Sequence, residues 1–316
     1  MLLFICTLAA LSHEFVLKNI LYHIIYQPTI NSILIAIIKP FKNLLPKKFW
    51  LSPSGTIRFR LKNGNLISMK TNQTSFVTWN IEWYGYDKYE YVSIFEAIAP
   101  NINSFFDVGS NIGLYSLILS GANKKAKSWA FEPSPGPFGY LKSNVSVNSF
   151  ENDIVTESIA LADKNGELEF VSAYSSKFSY LKDATLGGSG HLSGARNETS
   201  AIKFKVKAMT LDNYVTENKI TNIDLIKLDT EETEHLIIKK GIETIKRFNP
   251  IIICEVFSPQ MADDLIELLF PLGYSVFQSK KEFLEPVEGV KFKSGEVADC
   301  FFVPQEKMNL ISAFIK

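Results

Sequence analysis

Residues 105–113, FFDVGSNIG, limit the fold of this chain more than any other stretch. Asn103, Ser104, Phe105, Phe106, Asp107 and Val108 read as a strand buried on both faces, with two phenylalanines and a β-branched residue. Gly109 and Gly113 follow; they allow close backbone approach to a ligand and precede an apolar helix beginning LYSLILSGA. A buried strand turning through glycines into a helix is the unit of an open α/β sheet, which binds ligands at its strand carboxyl ends. The spacing is G-x-x-x-G, whereas dinucleotide enzymes use G-x-G-x-x-G. Ser110 and Asn111 stand where that pattern wants permissive backbone, so a pyrophosphate cradle is disfavoured. Asp107 suits a ligand with an amino-acid moiety instead, because it can accept from an ammonium group.

A second short strand ends at Glu132, 25 residues after Asp107. An acidic residue at about this offset accepts hydrogen bonds from a ribose. Pro133, Pro135 and Pro137 end the strand and leave the carboxylate at the sheet rim. The alternative is that Glu132 only caps the helix beginning near Phe138. Further on, NIDLIKLD is a fourth strand ending at Asp229, and the helix after it is expected to open with Glu231, Glu232, Glu234 and His235, where a helix dipole favours acids. NPIIICEV is a fifth strand with Glu255 at its end. Asp229 or Glu231 is the first choice for a general base, and Glu255 is a second acidic candidate facing the same pocket. The same three carboxylates could alternatively hold a divalent cation, although no metal is expected. Residues 186–200, LGGSGHLSGARNETS, read as a mobile loop or lid, in which His191 is a further candidate base.

The succession DVGSNIGLYSL, AFEPSPGPFGYLKSNVSVN, ESIALADKNGELEF, LDNYV, IDLIKLDTEETEHLIIKKG and NPIIICEVF resembles the FkbM family of S-adenosylmethionine-dependent methyltransferases, over roughly residues 83–304. The resemblance implies a Rossmann-like class I methyltransferase fold and methyl transfer to an oxygen, commonly a hydroxyl of a sugar or of a glycosylated or polyketide product. It places Asp107, Gly109, Asn111 and Gly113 around the methionine part of the donor and Glu132 on the ribose hydroxyls. The segment from Ser158 through Ala160 to Leu161 would lie beside the adenine. One departure stands out: the family pattern Asp-x-Glu-Gly-x-Glu reads here Asp229, Thr230, Glu231, Glu232, Thr233, Glu234. If the glycine serves a positive φ, Glu232 is strained by about 1–2 kcal/mol; if it serves lack of bulk, the acceptor pocket is narrower. A non-catalytic donor-binding module is one alternative reading, and a Rossmann-type oxidoreductase a weaker one.

The expected architecture is a seven-stranded, mostly parallel sheet closed by a C-terminal antiparallel hairpin, YSVFQ with ADCFFVP. Its organisation is expected as a helical segment over 1–50, a β-ribbon and aromatic connector over 51–100, and the catalytic domain over 101–316. The ribbon is TIRFRLKNGNLISM around Asn63-Gly64. In the connector, Trp79, Trp83, Tyr84, Tyr86, Tyr89 and Tyr91 could stack on a sugar or simply pack. Asn165-Gly166 signals a further edge hairpin. A formal charge of zero argues against a nucleic-acid partner. Cys6, Cys254 and Cys300 are odd in number and scattered, which indicates a reducing compartment. The first apolar run, MLLFICTLAALS, lacks a basic leader, so a cytoplasmic enzyme is expected rather than a secreted one. A second apolar run over 30–38 is flanked by Lys39, Lys42, Lys47 and Lys48. Two readings remain open for it, packing on the catalytic domain or peripheral contact with an anionic membrane face. The partner is expected to be a small-molecule or glycan acceptor.

Overall fold

The computed structural model describes residues 18–173, 176–186, 190–192, 201–287 and 298–316. Fourteen strands are described, numbered in chain order: β1 (Gly55–Arg60), β2 (Leu66–Thr71), β3 (Ser104–Val108), β4 (Lys127–Phe131), β5 (Ile154–Glu157), β6 (Ile159–Leu161), β7 (Gly166–Ala173), β8 (Gly190–Leu192), β9 (Ala201–Met209), β10 (Leu225–Leu228), β11 (Ile251–Val256), β12 (Tyr274–Ser279), β13 (Leu284–Pro286) and β14 (Ala298–Pro304). The main sheet has the order β13-β12-β14-β11-β10-β3-β4-β5. Strands β11, β10, β3, β4 and β5 run parallel, and β14 inserts antiparallel between β11 and β12. This order, parallel strands with one antiparallel insertion, is the Rossmann-like sheet that the resemblance implies, with β13 added at one edge. The expected seven strands are therefore eight.

Alternation along the central strands explains the two cores. Phe105, Leu225, Ile253 and Phe301 face one side and pack under helices Val92–Ile98, Leu114–Ala122 and Pro135–Val147. Phe106, Ile226, Ile252 and Phe302 face the other side, under Leu211–Glu217, Ile242–Phe248 and Pro259–Leu269. Both faces are covered, so these strands read as continuous apolar runs rather than as alternation. The ribbon β1–β2 contributes Ile67 and Met69, both fully buried, to the first core. Its turn is longer than a two-residue hairpin: Leu61 N donates to Asn65 O, and the Asn63 and Asn65 side chains both donate to Gly121 O.

The edge hairpin expected at Asn165-Gly166 and the loop expected over 186–200 are both corrected. DIVTESIALA divides at Ser158, giving β5 to the main sheet and β6 to a separate four-stranded sheet of order β6-β9-β7-β8. In that sheet β7 pairs with β9 rather than with β6, so Asn165-Gly166 joins two strands that are not neighbours. Asn165 instead accepts from Thr210 N at 3.0 Å. The lid expected over 186–200 falls partly, and the segment MLLFICTLAALS wholly, outside the described residues. Residues 190–192 form β8, with His191 paired to Val171, and are therefore strand where a loop was expected.

Candidate active site

The carboxyl ends of β3, β4, β10 and β11 open into one cleft of about 370 Å³, where the order of the parallel strands reverses. Gly109 forms its floor. A Cβ there would collide with the Asp229 carbonyl oxygen, and the backbone has φ +75°, so both space and conformation call for glycine. Asn111 continues the turn at φ +50°, a conformation that asparagine tolerates better than most residues. Its Oδ1 is buried and has no partner.

Glu132 lines the same cleft at the end of β4. Its Oε2 accepts from Asn111 N at 3.0 Å and its Oε1 from Ser134 N at 2.8 Å. The carboxylate thus ties the glycine turn to the start of helix Pro135–Val147, and capping and ligand contact are compatible rather than exclusive. Burial pushes Glu132 up to about 7, against the pull of those two N–H groups. Ile159, Ala160, Leu161 and Phe170 form an apolar wall beside it.

At the opposite end Glu90, Asp229, Glu231 and Glu255 converge with Tyr89. Lys227 neutralises part of this charge: its Nζ lies 3.0 Å from Asp229 Oδ2 and 4.0 Å from Asp107 Oδ1. Burial opposes the ammonium, but Asp229, Asp107 and Glu90 outweigh it and hold Lys227 above its usual range. Asp299 is the cross-strand neighbour of Glu255. Burial, then Asp229 and Asp299, push Glu255 up to about 9; burial, then Glu90 and Asp229, push Asp299 up to about 7. Glu90 is raised by burial and Asp229, sits at φ +41°, and accepts from Tyr115 Oη at 2.7 Å. Among the described residues no group of three or more His, Cys, Asp or Glu is placed to hold a metal ion.

The sequence candidates divide accordingly. Gly109, Asn111, Glu132, Ala160, Asp229, Glu231 and Glu255 all line the cleft. Asp107 does not. Its Oδ2 accepts from Ser116 N and Oγ at 3.2 and 2.7 Å, so it satisfies a free donor in the first turn of helix Leu114–Ala122 from beneath the floor. Gly113 also lies away from the cleft; a Cβ there would strike Leu141, so its smallness serves helix packing. Ser158 is exposed at the break between β5 and β6. His191 is placed on β8 by its backbone, and its side chain lies outside the description. Of the connector aromatics, Tyr89 lines the cleft, while Trp83 and Tyr91 are buried in the core.

The expected acidic helix start is also corrected. The helix begins at Glu234, and Glu231 and Glu232 lie in the preceding turn at φ +60° and +77°. The family glycine position therefore has a positive φ, and the exposed Glu232 side chain lines no part of the cleft. Glu234 closes the turn, accepting from Thr230 N at 2.7 Å. Sequence reasoning overlooked Glu90, Asp299 and Lys227. Lys227 had a usable signal, since a lysine inside a strand buried on both faces needs buried anions.

Residues 107–276 match the family profile described as methyltransferase FkbM domain, slightly more than half of the chain. The methyltransferase sdnD of Sordaria araneosa is 23% identical over 202 residues, covering 58% of this chain and 78% of that protein. The 31-O-demethyl-FK506 methyltransferase FkbM of Streptomyces tacrolimicus is 24% identical over 155 residues, covering 44% of this chain and 58% of that protein. Among solved structures, the methyltransferase FkbM of Methylobacillus flagellatus KT aligns with a TM-score of 0.39 and 13% identity, covering 71% of this chain and 52% of that one.

Proposed function

The chain belongs to the methyltransferase FkbM domain family, with S-adenosylmethionine as methyl donor, and from that premise we propose that it methylates a hydroxyl oxygen of a sugar, glycolipid or glycosylated natural product. The observation carrying this reading is one cleft with a ribose-type carboxylate at one end and a carboxylate cluster at the other. The donor fits the first end. Glu132 has acceptor lone pairs for hydroxyls, the unpartnered Asn111 Oδ1 offers an acceptor for an ammonium group, and Ile159 to Leu161 form an apolar wall for a flat base.

When bound, the donor supplies a methyl carbon on a cationic sulfur, open to in-line displacement. The chain must then hold the acceptor in line and take its proton. Asp229 and Glu231 are the carboxylates placed to take that proton beside the cleft, while burial and neighbouring charge hold a proton on Glu255. Lys227 pairs with Asp229 at 3.0 Å, beside Glu255, which burial and neighbouring charge raise to about 9. The Streptomyces relative, a 31-O-demethyl-FK506 methyltransferase, supports an oxygen acceptor. Glu232 is exposed and outside the cleft, so the departure at that position does not favour the non-catalytic reading.

Methyl-labelled donor incubated with a panel of sugars, nucleotide sugars and glycolipids tests the proposal. Asp229→Asn and Glu231→Gln are expected to lower turnover about 10²-fold with donor Kd nearly unchanged. Wild-type turnover in both variants would remove the cluster from catalysis.

A further inference from the structure

Charge in this neutral chain is segregated: between residues 15 and 81 there are nine lysines and arginines and no aspartate or glutamate. Within that stretch Ile24, Ile33, Ile37, Phe41, Leu44 and Phe49 are each at least 50% exposed, Leu44 reaching 81%. Helix Lys18–Ile25 meets the next at 78°, and among the described residues no single helix is long and apolar enough to cross a membrane. Lys42, Lys47 and Lys48 are interleaved with the exposed apolar side chains, whereas Lys39 pairs with Glu82 at 2.6 Å. This face is tied to the cleft by a continuous aromatic track. Lys47 Nζ lies 5.5 Å from the Tyr84 ring centroid, Tyr84 contacts Trp50 and Trp79 at 5.7 and 5.8 Å, and Trp79 stacks on Phe76 at 6.2 Å. Phe76, 65% exposed, lines the cleft and so stands at its lip.

Exposed apolar surface of this extent marks an interaction site. Aliphatic side chains interleaved with lysines, without any carboxylate in the sequence between, complement an anionic bilayer, and tryptophan and tyrosine favour the headgroup boundary. We infer that this face docks on an anionic lipid surface with Phe76 in the interface, and that the acceptor is a hydroxyl-bearing amphiphile held in that membrane. The acceptor clause rests on the methyl-transfer reading; the docking clause stands without it.

Flotation of the full chain with vesicles of phosphatidylcholine, or of phosphatidylcholine mixed with phosphatidylglycerol, tests the docking. Binding to the mixed vesicles alone, weakened by salt, is expected. Ile33→Glu/Ile37→Glu and, separately, Lys47→Glu/Lys48→Glu should weaken it at least about tenfold while donor Kd stays at the wild-type value, which also reports folding. A Phe76→Trp variant supplies an arm that needs no disrupted face: the fluorescence it adds over the four native tryptophans of the wild-type chain should be quenched by brominated acyl chains. Equal flotation with both vesicle types, no flotation, or no quenching overturns the docking. So does a dimer that Ile33→Glu/Ile37→Glu dissociates without any vesicle binding. Methyl transfer to soluble acceptors in preference to vesicle-held ones overturns the acceptor clause. Docking without transfer to any hydroxyl would instead defeat the methyl-transfer reading.

Discussion

At the residue scale, Glu132 sits between two ionisation states near neutrality, because burial resists its charge while two backbone N–H groups favour it. Ribose hydroxyls bond best to the ionised form. Donor affinity is therefore expected to weaken as pH falls through about 7, and Glu132→Gln should flatten that dependence in calorimetric titrations. Charge-assisted bonds contribute about 1.5–3 kcal/mol each, so Glu132→Ala should weaken the donor at least about tenfold. Stability has the opposite sign. A carboxyl raised in the folded state stabilises most at low pH, and the contribution fades as pH climbs through about 7. Glu232 makes a different prediction. Its left-handed backbone costs about 1–2 kcal/mol, against about 0.5–1 kcal/mol for the extra freedom of an unfolded glycine. Glu232→Gly should thus raise stability in urea denaturation by up to about 1 kcal/mol. The exposed side chain leaves turnover unchanged. A large change in turnover would place Glu232 at the acceptor after all.

At the element scale, β10 is the strand whose chemistry matters most, since it carries Lys227 inward opposite Asp107 and delivers Asp229 to the cleft. Replacing Lys227 by Met leaves buried anions without their cation, at a cost of about 3–5 kcal/mol at neutral pH. The loss should shrink at low pH, where Asp107, already raised by burial, takes up a proton. Adding Asp107→Asn to Lys227→Met should restore part of the stability, a coupling that a double-mutant cycle reads directly. The turn after β10 was only half legible. Asp-x-Glu-x-x-Glu pointed to a strand end carrying acids, but dipole reasoning put all three glutamates in a helix that starts only at Glu234. Only the path of the chain past Thr230, which Glu234 holds at 2.7 Å, shows Glu231 and Glu232 forced left-handed.

At the scale of the whole molecule, the donor cleft joins the ends of four strands, so ligand binding should stabilise the sheet as a unit. Donor at about a hundred times its Kd adds about 2.7 kcal/mol, which corresponds to a rise in Tm of several degrees, and Glu132→Ala should lose most of it. An unshifted melting curve at saturating donor would contradict that linkage. The order of elements, the βα turn at Gly109, the acids at the ends of β4, β10 and β11, and the family were determined by the sequence alone. They depend on local alternation, glycine conformation and spacing along the chain. The tertiary structure alone decided that Asp107 is buried against the first turn of helix Leu114–Ala122, that the chain leaves the main sheet at Ser158, and that Glu90 and Asp299 join the carboxylates. Those outcomes depend on which side chains distant in sequence meet across a buried face, where desolvation and charge pairing act on neighbours that no local pattern specifies.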